Sequence, residues 1–393
     1  MTGFRSVALA CASVLVALLV GCSSSSAGSG GGAGLGGGAG LGGAGAPSAA
    51  GGGSGAGALG ANNAGSAGSA AVAGASDSAA GAPGSGGSSA GASSAGNSGN
   101  GGTAGGTTSP MWTMNGGSYV LTLGSTYLEI DPMNGARITA LRVGGSSGGN
   151  LLADSTVTGQ ADNWGSTFWP SPQTWPWPPT DAGSINAINT LPYAATSDAT
   201  SLTLTSSVNA SVPKLQVIKK FTPDLAKEAI VIDYTVINGG TEPVTTAPWE
   251  VTRVAPGGIT FYPAASPPYT LATPLLKTTD AAGATWYLHD PTDMTLYKLF
   301  GDGKDGWLAH ADGELLLIKT FTDIPAGAAA KNEAEIEIYA APKYVEMENQ
   351  GMVQTLAAGE SLHWTVRWYA RKLATPAAVG SADLVAYVLN QIK

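Results

Sequence analysis

The residues best able to do chemistry crowd into two parts of the chain. Trp164, Trp169, Trp175 and Trp177 fall within one proline-rich stretch, and all ten tryptophans lie beyond residue 108. Proline at 170, 172, 176, 178 and 179 argues against a strand interior or a helix there, which leaves a stiff loop. Tryptophan on such a loop offers a flat apolar face at low entropy cost, while its N–H still reaches a partner. Sugar rings present flat C–H faces to such surfaces. Trp175 and Trp177 are therefore the expected contacts, with Gln173 and Asp181 placed to bond hydroxyl groups. Trp164 is read as core, and each of these indoles has the alternative of plugging a sandwich end.

Carboxylates mark the second part. Glu346 and Glu348 stand two residues apart and so share one face of a strand. The alternative is a solvated stripe, like Glu333, Glu335 and Glu337 just before them. Glu250 follows Trp249 on another strand, and Arg253 is expected on Glu250's face. There it would orient a carboxylate, bind an acidic sugar, or form a structural ion pair with Glu250. Two carboxylates in unequal environments can divide acid and base roles. Of the three histidines, His363 reads as structural in a strand, and His310 as exposed before an Asp-Gly turn. His289 lies apart from both.

Other chemistries lack their patterns. Ser-Gly pairs before residue 108 are compositional and form no nucleophile elbow. Histidine spacing supports no zinc site, and Asp302 and Asp305 lack the frame of a calcium loop. Gly301-Asp302-Gly303-Lys304 has the wrong glycine spacing for a phosphate loop. No cofactor is required by any of these readings.

The elements that must hold these residues are strands. Alternating side chains predict them at 119–123, 127–131, 138–143, 201–206, 215–221, 229–237, 246–254, 315–321, 333–339 and 363–369. Turns separate them, as at Asp131-Pro132-Met133-Asn134-Gly135 and Asn238-Gly239-Gly240. One helix is predicted, from about Ser381 to Gln391. So many strands in residues 109–393 imply one all-β domain of packed antiparallel sheets, a large sandwich or a barrel. A chain of that length buries roughly three quarters of its unfolded surface.

The rest of the chain is of another kind. Arg5 precedes the short apolar run Val7 to Val20, which ends in Leu19-Val20-Gly21-Cys22. A run of that length is short for a membrane span and reads as an export signal over residues 1–21. Its end resembles a lipobox, with Cys22 as the acylated residue and Ser23 favouring the outer membrane. Residues 22–108 are almost wholly Gly, Ala and Ser, with Asp77 their only charge. Such composition cannot offset its ordering entropy, and as a flexible coil it would reach roughly 50 Å. Cys11 and Cys22 are the only cysteines, so the expected domain has no disulfide. Setting Arg5 and Asp77 aside leaves that domain at −9, a poor partner for nucleic acid or anionic lipid surfaces.

Three segments carry a resemblance. "LEIDPMNGARITALRVGGSSGGNLL" from Leu128 resembles the opening hairpin of the galactose mutarotase-like, or aldose 1-epimerase-like, superfamily. "AIVIDYTVINGGTEPVTTAPWEVTRV" from Ala229 resembles its central strands, and "YVEMENQGMVQTLAAGESLHWTVRWYARKL" from Tyr344 its closing region. "FWPSPQTWPWPP" is similar to a Trp-Pro-Pro-Gln-like segment of an uncharacterised branch. The resemblance spans most of residues 115–373 and implies a β-supersandwich with a sugar-sized groove. It also implies acid–base chemistry at a sugar's anomeric centre, which needs groups within hydrogen-bond reach of the ring. Glu348-Asn349-Gln350 matches the superfamily's Glu-x-Gln, so Glu348 is the implied base and Glu346 its neighbour. Where that superfamily has its acid histidine, this chain has Ala247-Pro248-Trp249-Glu250. Glu250 is the expected substitute acid, with Trp249 as a further sugar contact. The implied partners are a sugar or glycan and, through Cys22, a membrane; the alternatives are a non-catalytic glycan-binding or structural envelope lipoprotein.

Overall fold

A computed structural model describes residues 112–393, apart from 177, 180–182 and 272. The expected signal, Cys22 and the Gly/Ala/Ser segment lie outside the described residues, as do Trp177 and Asp181. Two large antiparallel sheets make up the fold. The path of the first runs through Thr113–Asn115, Ser118–Leu123, Thr126–Asp131, Arg137–Val143 and Ser166–Ser171. It continues through Val244–Val254, Tyr344–Gln350, Ile336–Ala341 and Tyr297–Gly301. The second begins with Thr279–Ala281, Ala284–Leu288, Ile259–Tyr262, Trp307–Asp312 and Leu315–Thr320. Ser361–Lys372, Ala229–Asn238, Leu215–Asp224, Leu202–Thr205 and Ala194–Ser197 complete it. The all-β class and the terminal helix agree with expectation.

Side-chain alternation builds the layers. From Ile230 on, Ala229–Asn238 alternates buried and half-buried residues, with Ile230, Ile232, Tyr234 and Val236 pointing inward. Phe168 of the first sheet stacks on Tyr234 of the second, ring centres 4.4 Å apart. Behind the second sheet, Phe261, Trp286, Trp307 and Ile318 form another apolar layer. Ala382–Ile392 packs there through Leu384, Val385 and Val388, its first turn capped by Ser381 Oγ, which accepts from Leu384 N at 3.1 Å. Gly135 earns its place in the predicted turn: it sits at φ +66°, and a Cβ would come within 2.2 Å of Asn189 O.

Two expectations about elements are corrected. The proline-rich stretch contains a strand interior after all, Ser166–Ser171, with Pro170 directly opposite Pro248. The ladder with Arg137–Val143 touches this strand only at Ser166, so Pro170 faces no N–H acceptor there. The strand expected from Glu333 begins instead at Ile336. Glu335 just before it bends away, its carboxylate accepting N–H bonds from Gly303 at 2.9 Å and Ile324 at 2.8 Å.

Between the sheets lies one fully buried ion pair, Glu250 with Lys319 at 2.7 Å. Tyr234 donates its hydroxyl to Glu250 at 2.6 Å and Trp368 its indole N–H at 3.1 Å. Lys319 also donates to Thr252 Oγ1 at 3.0 Å. A buried pair of this kind is costly to break, because the survivor keeps its desolvation penalty. Glu250→Gln should therefore lower unfolding stability by about 3 kcal/mol, and adding Lys319→Met should recover part of it. Urea titrations of the two variants measure this; equal midpoints for wild type and the single variant would show that the pair contributes nothing.

Candidate functional site

The strand Val244–Val254 presents two chemistries because its side chains alternate. Glu250 points between the sheets, opposite Asn349 in the ladder. Trp249, Val251 and Arg253 point the other way, and Glu348 lies directly across from Val251. Glu250 and Glu348 are thus on opposite faces of the sheet, and Glu250 is no partner acid for Glu348. Arg253 likewise does not share Glu250's face. Three residues along a strand is an odd step, which reverses the side. Arg253 instead pairs with Glu346 at 3.0 Å and donates to Thr167 Oγ1 at 2.7 Å and Asn163 Oδ1 at 3.1 Å. Its guanidinium lies over the Trp169 ring at 4.8 Å and is wholly buried, which removes it as an acidic-sugar contact.

On the outer face three indoles meet edge to face. Trp169 contacts Trp175 with ring centres 5.4 Å apart and Trp249 at 5.3 Å. All three are buried, and Trp175 donates its N–H to Pro170 O at 3.3 Å. Trp175 therefore plugs the sheet rather than offering a ring to a ligand. Gln173 is exposed and uses its backbone N–H on Glu333 at 3.3 Å. Trp164, expected in the core, is half-buried beneath the Arg137 guanidinium at 4.5 Å.

Glu348 is the centre of what remains. It is buried, not solvated, and so are Glu346, Glu335 and Glu337. Trp249 donates its indole N–H to Glu348 Oε2 at 3.1 Å, and Lys298 Nζ lies 2.5 Å from Oε1. The same ammonium lies 2.7 Å from Glu337, the cross-strand neighbour of Glu348. Glu337 also accepts from Gln350 Nε2 at 2.6 Å and Ala334 N at 3.0 Å. Gln350 in turn accepts from Ser171 Oγ at 2.6 Å, tying the cluster to the proline strand.

Two buried carboxylates thus share one ammonium, and the electrostatics follow. Burial pushes the Glu337 carboxyl up to about 8, against the opposing pull of Lys298. Burial raises Glu348 as well, with Lys298 opposing and Glu337 reinforcing the shift. Burial would lower Lys298, but Glu337 and Glu348 together hold it well above its ordinary value. Burial thus biases both carboxyls of this trio toward their protonated forms, while the two carboxylates favour the charged lysine. Lys298 is the member that reaches solvent, its side chain 17 % exposed against 1 % for Glu348 and none for Glu337.

A hollow of about 400 Å³, within the size range of small-ligand sites, is linked to this cluster through Glu333; Lys298, Glu337 and Glu348 do not line it. Tyr269, Asp302, Gly301 and Glu333 line it. Tyr269 is 44 % exposed and stacked on Phe300 at 5.5 Å, and Phe300 lies 5.6 Å from Lys298 Nζ. Glu333, half-buried, is raised first by burial and also feels Glu337 and Lys298. Lys298, Glu337 and Tyr269 are the residues that sequence reasoning missed. Lys298 carries no motif, and Tyr269 lies in a segment with no strand pattern.

The histidines stand elsewhere. His310 is buried rather than exposed, beside Thr260 Oγ1 at 2.9 Å, and burial lowers its pKa to about 3. His289 accepts the Gly257 N–H at 2.7 Å and faces Ala341 O at 3.0 Å. His363 is exposed on the second sheet, next to Thr235.

Comparison with known proteins gives likeness at low identity. The chain is similar to a galactose mutarotase-like protein from Lactobacillus casei, at 12 % identity and TM-score 0.47, over 65 % of this chain and 100 % of that one. A galactose mutarotase related enzyme from Lactobacillus acidophilus gives 8 % and 0.46, over 66 % and 100 %. A galactose 1-epimerase from Lactobacillus acidophilus gives 11 % and 0.42, over 65 % and 94 %. No family profile matches the chain, and no curated protein matches it.

The raised Glu337 carboxyl sets a pH dependence. The native state keeps a proton that the unfolded chain releases near 4.5, so this contribution to stability is full below that pH. It is lost as pH rises through about 8. Melting temperatures from pH 5 to 8 should fall in wild type and fall less in Glu337→Gln. Parallel curves would contradict the assignment.

Proposed function

We propose that this chain is an exported, lipid-anchored carbohydrate-active domain with aldose 1-epimerase-like acid–base chemistry at Glu348. One observation carries the reading: a buried carboxylate is oriented by an indole N–H and by an ammonium that itself reaches solvent. Tyr269 supplies the stacking face, and Asp302 and Glu333 supply acceptors for hydroxyl groups. Glu348 takes the proton of the anomeric hydroxyl, a role suited to a carboxyl whose pKa stands nearer neutrality. The match of Glu348-Asn349-Gln350 to the superfamily's Glu-x-Gln supports the same role. Leu19-Val20-Gly21-Cys22 supports the anchor, and the long Gly/Ala/Ser segment a tether from an outer membrane.

The second reading is a glycan-binding domain without catalysis. It is favoured by the bonded state of Glu348, whose two oxygens already hold Lys298 and Trp249, and by histidines that all stand elsewhere. Anomer-exchange NMR on galactose and glucose, run beside calorimetric binding, separates the two. Exchange catalysed by wild type should fall at least about 100-fold in Glu348→Gln, the scale of a lost general base. Tyr269→Ala should weaken sugar binding about tenfold through the lost stacking and area. Binding with no exchange in wild type would establish the second reading, and silence in both would defeat the sugar site.

A further inference from the structure

The acid–base reading leaves one role empty. Opening a pyranose needs a proton delivered to the ring oxygen as another leaves the anomeric hydroxyl. Glu250, the acid expected from the sequence, faces the interior between the sheets and is bonded to Lys319, Tyr234 and Trp368. None of the three histidines touches Glu348. We infer that Lys298 is the general acid of this site. The inference rests on the acid–base reading above.

Position argues for it first. Lys298 Nζ lies 2.5 Å from Glu348 and 2.7 Å from Glu337, and it alone of the three reaches solvent. An ammonium has three N–H donors, so two carboxylates leave one for a ligand. Of the three groups, the ammonium is the one a ligand from solvent meets first. The Phe300 ring centre lies 5.6 Å from the ammonium and the Trp249 ring centre 6.0 Å, two aromatic faces that favour its charge.

Chemistry argues for it second. The positive charge on Lys298 is secured by its two carboxylate neighbours, and that security is removed by the reaction itself. As Glu348 accepts the O1 proton it becomes neutral, and the ammonium loses one of the charges that favoured it. Lys298 then gives its third proton to the ring oxygen. The bond from C1 to the ring oxygen breaks, C1–O1 becomes a carbonyl, and the ring oxygen becomes a hydroxyl. Glu348 now holds one proton more and Lys298 one fewer, so no oxidant or co-reactant is needed. Rotation about C1–C2 and the reverse transfers close the ring as the other anomer. Glu337 takes no part in the transfers and is a positioning residue that acts through Lys298.

Lys298→Arg tests the acid role, because guanidinium keeps the charge and both ion pairs but does not surrender a proton. The variant should bind galactose or glucose within about threefold of wild type and exchange anomers at least about 100-fold more slowly. Exchange at the wild-type rate would overturn the inference. Lys298→Ala with added methylamine gives a second reading that does not depend on fitting the larger guanidinium. Methylamine should restore exchange in proportion to its concentration, while tetramethylammonium, which has no N–H, should not. Equal restoration by both would reduce Lys298 to a counter-charge and overturn the acid role. Wild type that binds sugar without exchanging anomers sinks this inference and leaves the binding reading standing. Wild type that binds no sugar sinks the site itself.

Discussion

The alternation of one central strand governs this molecule. Val244–Val254 runs through the middle of the first sheet with nine consecutive buried residues, so both of its faces must be satisfied inside protein. Glu250 on one side demands a buried cation and finds Lys319 on the opposing sheet. Trp249 and Arg253 on the other side demand acceptors and find Glu348 and Glu346 on the neighbouring strand. The two systems sit back to back through a single layer of backbone. The ion pair between the sheets and the carboxylate cluster on the outer face are therefore separate, built on adjacent residues of one strand.

On the outer face, charge is left unbalanced. Arg253 and Glu346 cancel, but Glu337 and Glu348 share only Lys298. A purely structural cluster buried to this depth is better served by equal numbers of each sign, since an unmatched buried charge keeps its full desolvation cost. Here burial raises both carboxyls, and shifts of that kind are frequent at functional sites.

Much of the fold was legible from alternation and turn residues, and the strand pair at Ala229–Asn238 and Val244–Val254 falls within a residue or two of its predicted place. The proline strand at Ser166–Ser171 was not, because the tolerance of Pro170 depends on a partner, Pro248, almost eighty positions away. The site was legible only in part. Glu348, Trp249 and Glu346 do gather, yet Glu250 and Arg253 were assigned to one face against the odd count between them. Trp175 looked like a ligand platform and proves to be packing, since composition does not distinguish a stiff loop that presents an indole from one that buries it. Lys298 was invisible in sequence because its meaning lies in two cross-strand carboxylates, one of them Glu337 in a run that read as solvated.

The proposed chemistry requires that a sugar reach Glu348. The Trp249 indole N–H, bonded to that carboxylate at 3.1 Å, reports on it from within the site. In a nitrogen-15 spectrum of the intact chain, its resonance should move in a saturable way as galactose or glucose is added. A Trp249 signal that stays fixed at saturating sugar, while other indoles move or none does, would contradict the central claim.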